Sequence, residues 1–351
     1  MFVTEPQRRR CRLASLVARA IVSCAGLLPC TAWTASPPVL SESSASSFPS
    51  RPIRLVVPFP PGASTDTIAR IVAEPIGARL GMRVNTENRG GAGGNIGAES
   101  VLRAPADGHT WLLGTAGLMS INALLYSTMK FDPAMAFAPL SLVAHVPYAL
   151  IINPSLPSRT LSDLIEFTAR RPWVLNYGSA GSGSVLHLAA ELFKSLTDTR
   201  IVHVAYRGGR PAISELIGGH IHMMFSSVPL ALPYVESGRL HALAVSGAAR
   251  SLHMPSVPTM AEAGLPGFEF TGWFGLFVPI QTPARIAPWL NLELTAALGS
   301  NDIRTRLRSI GAEPATSSSA QVYELIRRDT ARWERVIRSN NVKPDWEDYP
   351  Q

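Results

Sequence analysis

Short β-branched runs followed by helical periodicity recur along this chain. IRLVVPF (Ile53 to Phe59) is closed by Pro58, Pro60, Pro61 and Gly62, and apolar positions then repeat at helical spacing from Thr65 to Leu80. The same order returns with WLLGT (Trp111 to Thr115) and a helix, with VLNYGS (Val174 to Ser179) and a helix from Val185, and with IVHVAY (Ile201 to Tyr206) and a helix from Arg210. Strands alternating with helices predict an α/β fold with parallel sheets covered on both faces. YALIIN (Tyr148 to Asn153) and WFGLFVP (Trp273 to Pro279) are strand-like runs that bracket a middle segment with its own strand-helix units. That is the layout of a hinged two-lobed protein, with residues 51–148 and 274–351 in the first lobe and 149–273 in the second. The stretch from Pro283 to Asn340 reads as two amphipathic helices, separated by GAEPATSSSA, that return to the first lobe.

The N-terminus follows another pattern. Arg8, Arg9, Arg10, Arg12 and Arg19 precede an uncharged apolar run, Ala20 to Cys30, and then small residues in TAWTAS. This is the anatomy of a secretory signal peptide over residues 1–35, followed by a Ser/Pro-rich disordered leader over 36–50. The apolar run is shorter than the ~20 residues of a membrane span. All three cysteines, Cys11, Cys24 and Cys30, fall in the presumed signal, so the remainder carries no disulfide, no thiolate metal site and no cysteine nucleophile. Export to the periplasm is the expected outcome.

Composition narrows the function classes. With 351 residues, 46% of them hydrophobic and 16% charged, the chain can bury the cores of about two domains. Of the net charge of +7, residues 1–50 contribute five Arg against Glu5 and Glu42, so +4 is spread over the rest. No block of Lys and Arg with interleaved aromatics occurs there, which argues against nucleic acid.

In sheets of this kind ligands gather where strands hand over to helix N-termini, and those loops here are rich in Gly, Ser and Thr. The first, PFPPGASTDTIAR (Pro58 to Arg70), sets Phe59, Gly62, Ala63 and Ser64 before a helix whose first amides are unsatisfied and lie at the positive end of its dipole. Capping by Ser64 or Thr65 alone would not need three stiffening prolines. Asp66 is read as an organiser of this loop through backbone amides, with direct contact to an amine on the ligand as the alternative. The second, GSAGSGSVLHLAAELF (Gly178 to Phe193), adds Ser179, Ser182 and Ser184, while Gly181 and Gly183 let backbone approach a ligand. His187 either lines the cleft or braces the loop. The fourth such loop, AYRGGRPA (Ala205 to Ala212), offers Tyr206 as a wall and Gly208 as approachable backbone.

Rival chemistries lack their signatures. NRGGAGGNIGAE (Asn88 to Glu99) misses the dinucleotide glycine spacing and reads instead as a helix packed closely on the sheet. The second loop has neither the lysine of a phosphate loop nor the G-x-S-x-G of a hydrolase. His220 and His222 would share one face of a strand, but a third metal ligand is missing. No catalytic residue, metal or cofactor is expected.

With these loops in place, the sequence resembles the Bug or TctC family, the extracytoplasmic solute receptors of tripartite tricarboxylate transport systems, over roughly Arg51 to Asp345. IRLVVPFPPGASTDTIAR, NRGGAGGNIGAE, PADGHTWLL, LNYGSAGSGSVLHLAAELF, VHVAYRGGRPAISELIGG, SVPTMAEAGLPGFE and WFGLFVP carry the resemblance together. It implies a periplasmic Venus-flytrap fold of type II, with parallel-rich sheets flanked by helices, that binds a carboxylate through the first two loops, often by bridging waters. Residue by residue it points to Gly62, Ala63, Ser64 and Asp66 in one lobe and to Ser179, Gly183, Ser184 and His187 in the other. The chain departs from the family pattern at Ala63, usually a second Gly, at His109, usually Tyr, and at His222, usually Asp. The expected ligand is a small di- or tricarboxylic acid, an aromatic acid or an amino acid such as aspartate, gripped by hinge closure. The expected partners are the membrane subunits of a tripartite transporter, or a membrane sensor kinase; a hydrolase or transferase on a similar scaffold is the rival of another class.

Overall fold

The computed structural model describes residues 48–127, 129–339 and 342. The expected signal peptide, and all of the leader but residues 48–50, lie outside the described residues. In chain order the elements are β1 (Ile53–Val57), α1 (Ser64–Leu80), β2 (Val84–Asn88), a 3-10 turn at Ala92–Gly94, α2 (Asn95–Leu102), β3 (Thr110–Thr115) and three short helices, α3 (Ala116–Ser120), α4 (Asn122–Leu125) and α5 (Pro133–Ala136). There follow β4 (Phe137–Ile152), α6 (Leu161–Arg170), β5 (Asn176–Ser179), α7 (Val185–Thr197), β6 (Val202–Ala205), α8 (Gly209–Ile217), β7 (Met223–Ser227), α9 (Val228–Glu236) and β8 (His241–Val245). The chain ends in β9 (Thr271–Pro279), α10 (Ile286–Leu298), α11 (Asn301–Ser309), β10 (Glu313–Pro314) and α12 (Ser319–Ser339).

The strands run in the order β2-β1-β3-β9-β4-β7-β5-β6, with β8 and β10 also paired to β4. β1 is parallel to β2 and β3, and β5 is parallel to β6 and β7, as the recurring strand-helix units require. The crossing strands differ: β9 is antiparallel to β3 and β4, and β4 is antiparallel to β7 and β8. The sheets are therefore mixed, parallel on their flanks and antiparallel at the crossing strands.

The fold is two-lobed. β4 pairs with β9 from Phe137 to Pro147 and then with β7 and β8 from Tyr148 to Ile152, so one strand serves both halves and changes partners between Pro147 and Tyr148. The buried Ser246 joins the chain at this point: its hydroxyl accepts the Tyr148 amide at 3.1 Å and donates to the Phe270 carbonyl at 2.7 Å. In β1 the side chains alternate, with Ile53, Leu55 and Val57 packed against α1, α10 and α11 and Val56 on the opposite face with Leu118 and Phe277. Leu150, Tyr177, Phe193 and Phe225 form a separate core in the other half.

Two local readings change. The C-terminal stretch holds three helices, because Gly299 ends α10 and Ser300 caps α11. Val322 and Ile326 of α12 pack in the first lobe while Trp333 packs in the second lobe's core, its ring 5.6 Å edge-on from Phe270. The His220–His222 segment precedes β7 and is not itself a strand, so its residues do not share a sheet face. His220 bonds Glu215 at 2.8 Å and His222 bonds Asn176 at 2.8 Å; among the described residues there is no group of three or more metal-ligating side chains. Burial pushes the His222 imidazole down from its ordinary value, so it stays neutral beside Asn176.

Candidate functional site

Six strand-to-helix loops meet around one cavity of about 1120 Å³: β1–α1, β2–α2, β3–α3, β5–α7, β6–α8 and β7–α9. In the β1–α1 loop Ala63 is the N-cap of α1 and has no side chain to satisfy the helix amides, which stay available to a ligand. Asp66, one turn in, is nearly buried and accepts the Gly62 amide at 2.8 Å, Arg70 Nε at 3.0 and 3.1 Å, and Asn88 Nδ2 at 3.1 Å. Burial alone would push its carboxyl up, but the bonds from Arg70, Gly62 and Asn88 outweigh it and hold the group below its ordinary value. Asn88 also donates to the Phe59 carbonyl at 3.0 Å, so one amide side chain ties the end of β2 to the loop.

The β5–α7 loop is held from beneath. Gly183 has a φ of +74°, and a Cβ there would come within 2.9 Å of Leu125 Cδ1, which only glycine avoids. Its amide donates to His187 Nδ1 at 3.0 Å, and Ser184 caps α7 by accepting the His187 amide. The His187 ring stacks on His203 with centroids 4.0 Å apart and planes 5° apart. His203 Nε2 meets Ser179 Oγ at 2.7 Å, and that hydroxyl accepts the Gly181 amide at 3.1 Å. Glu191, which accepts from Tyr177 at 2.5 Å and Lys194 at 2.6 Å, completes this layer under the loop.

The lobes also meet directly around the cavity. Ser64 Oγ lies 2.7 Å from Ser227 Oγ, Arg210 Nε donates to the Gly62 carbonyl at 2.5 Å, and the Tyr126 hydroxyl donates to the Ser182 carbonyl at 3.2 Å. Tyr148, Trp273, Phe274 and Leu230 supply apolar wall, and burial pushes the Tyr148 phenol up so that it stays neutral.

The profile of the tripartite tricarboxylate transporter family receptor, TctC, matches residues 68–342. The chain belongs to the TctC receptor family. BugT of Bordetella pertussis is 35% identical over 319 residues, which cover 91% of this chain and 96% of BugT. Among solved structures, an R. palustris protein with adipate is 39% identical, with a TM-score of 0.81 over 85% of this chain and 99% of its own. MatC of Rhodopseudomonas palustris with bound malate is 33% identical, with a TM-score of 0.78 over 83% and 100% of the two chains. The two-lobed fold and the family agree with what the motifs implied.

Within this TctC receptor the expected site residues fall into two groups. Phe59, Ala63, Ser64, Gly181, Ser184, Tyr206 and Gly208 line the cavity. Gly62, Asp66, Ser179, Gly183 and His187 are outside its lining and hold the two loops in shape; of the alternatives for His187, its geometry is that of a brace. Ala63 lines the cavity, so its methyl takes space there that a second Gly would leave open. His109 is a packing residue, stacked edge-on to Phe48 at 4.8 Å and accepting the Ser50 amide through Nε2 at 3.1 Å.

Sequence reasoning missed Thr115 to Gly117, Ser227 and Gly90 to Gly94 as lining. Ser227 was legible in principle, because a Ser followed two residues later by Pro229 marks an N-cap and first helical turn. The NRGGAGG glycines do both jobs: Gly97 lets α2 press on β1, where a Cβ would sit 2.9 Å from Pro58 Cα, and the glycines before it face the cavity.

Proposed function

We propose that this receptor binds a small carboxylate in the cavity, with the acid held by the first amides of α1 and α7, and passes it to the membrane subunits of a tripartite transporter. The observation that carries this reading is the convergence of the N-termini of α1, α7, α8 and α9 on one space from two lobes. Each such terminus carries unsatisfied N–H groups and partial positive charge, and together they favour an anion. Hinge motion at Pro147 and Tyr148 would bring the two sets of amides onto one ligand, and binding then selects the closed arrangement. The ligands named for the R. palustris relatives, adipate and malate, are carboxylates of this kind.

The chemistry of the loops supports binding without turnover. Ser179 and His203 have the spacing of a nucleophile and base, but Ser179 is fully buried and outside the cavity lining, so its hydroxyl cannot reach a bound molecule. We assign the chain to the periplasm, with a mature N-terminus between about residues 31 and 37. Among the described residues no helix is long and apolar enough to cross a membrane.

Thermal-shift titration of the mature protein against small organic acids tests the reading. A true ligand at a hundredfold excess over Kd adds ~2.7 kcal/mol of stability. Failure of every acid to raise the melting temperature overturns it, and mass spectrometry of the recovered ligand should find it unchanged. N-terminal sequencing of the periplasmic fraction tests export.

A further inference from the structure

Two histidines are stacked beneath the β5–α7 loop, and each holds one of its backbone amides. His187 Nδ1 accepts the Gly183 amide at 3.0 Å, and the Ser179 hydroxyl, 2.7 Å from His203 Nε2, accepts the Gly181 amide at 3.1 Å. Gly181, Ser182 and Ser184 line the cavity, whereas neither ring does. The rings therefore shape a segment that faces the solute without facing it themselves. Their centroids are 4.0 Å apart with planes at 5°, and Tyr177 stacks against His203 at 4.8 Å.

The bond at Gly183 fixes where His187 carries its proton. A ring nitrogen accepts a hydrogen bond only when bare, so the proton is on Nε2, which faces Glu191 Oε1 at 3.8 Å. A second proton would set an N–H on Nδ1 against the N–H of Gly183. It would also place a charge 4.0 Å from a second imidazole, with Glu191 as the anion at hand to attract it. The titratable groups around the stack have partners of their own: Tyr177 donates to Glu191, Lys194 pairs with Glu191 at 2.6 Å, and Tyr126, against Gly183, donates to the Ser182 carbonyl. β7 packs on α7 with Met223, Met224 and Phe225 and brings no titratable group. α12, which also packs on α7, commits Asp329 to Trp273, Glu334 to Arg338 and Arg335 to the Ala331 carbonyl, with Arg332 over the Trp333 ring and Arg328 beside Asp329.

Resting on the reading above that this loop grips the solute, we propose that His187 and His203 are positioning residues of the loop, that His187 holds it in binding shape only while uncharged, and that a proton on that ring weakens binding. Donor would meet donor at Gly183, and the loop would leave the shape that presents its amides to the cavity. The Gly181 end, tied through Ser179 to the stacked His203, would move with it. Because the bound form excludes the second proton, affinity is complete above the pH at which His187 titrates in the empty protein and falls below it.

Nuclear magnetic resonance of the unliganded mature protein reads the coupling without a ligand. Between about pH 8 and 5 the His187 ring should titrate, and the Gly183 amide should shift with the same midpoint. An amide that stays put while the ring titrates, or a ring that takes no proton over this range, overturns the inference. Calorimetry with malate, adipate and benzoate reads the consequence: Kd should weaken by up to about tenfold per pH unit below that midpoint. His187→Asn offers the Gly183 amide an oxygen near the place of Nδ1 and takes no proton. It should bind more weakly than the parent at neutral pH, and its Kd should follow only the titration of the acid itself. His203→Phe keeps a flat ring in the stack but loses the nitrogen at Ser179, so affinity should drop by about threefold to tenfold, and His203→Gln should restore part of it. Equal pH dependence in the parent and His187→Asn overturns the inference and leaves the carboxylate reading intact; a parent that binds none of the acids at any pH overturns both.

Discussion

The hydroxyls of Ser64 and Ser227 lie 2.7 Å apart across the cavity, joining the first helix of one lobe to the end of β7 in the other. Each removes part of the other's need for water when the lobes meet. Ser227→Ala should therefore speed ligand release more than it slows capture. In a double-mutant cycle with Ser64→Ala the coupling should be about 0.5–1.5 kcal/mol. Stopped-flow dissociation rates for the four proteins measure it, and strictly additive effects would show that the pair does not act as a unit.

Gly183 tests the second loop. Valine at its φ of +74° costs about 1–2 kcal/mol of local strain and meets Leu125, which should break the bond from the loop amide to His187. Gly183→Val should lose roughly tenfold to a hundredfold in affinity while far-UV circular dichroism stays that of the parent. Unchanged affinity would place the ligand elsewhere.

Ser246 serves the crossing strands. Alanine there leaves the Tyr148 amide and the Phe270 carbonyl short of a partner inside the protein, at a cost of about 1–3 kcal/mol. Urea unfolding of Ser246→Ala should register that loss; a midpoint equal to the parent's would mean that water replaces the hydroxyl.

Asp66 gives a pH signature. Its carboxyl is held below the ordinary 3.8, so its contribution to stability is complete above that value and is lost as pH falls through the lower folded value. Asp66→Asn should melt below the parent at neutral pH, and the gap should narrow as the pH drops under about 4. Melting curves between pH 3 and 7 check both the sign and the window.

The units legible in the sequence were those with a complete local signal. IRLVVPF followed by a stiff turn and a periodic run gives β1 and α1, and the same grammar gives β3, β5, β6, α7 and α8. The early half of β4 was not legible, since Pro139 and Pro147 interrupt its pattern and its pairing with β9 is set by a partner more than 120 residues away. The HIH segment misled for the opposite reason: alternation that suits a strand ends in side-chain bonds to Asn176 and Glu215 that only the fold brings near. At the site, the glycines and serines announced backbone recognition, but which of them face the cavity and which brace it depends on the stacked His187 and His203, which lie on different elements.

α12 has a mechanical consequence. Its 21 residues make a rod of roughly 32 Å, seated at Val322 and Ile326 in one core and at Trp333 in the other. Drawing a buried tryptophan from its socket costs about 3–5 kcal/mol, so the gape of the lobes is confined to angles at which both ends stay seated. The rod is thus a travel stop that limits how far the two lobes can part.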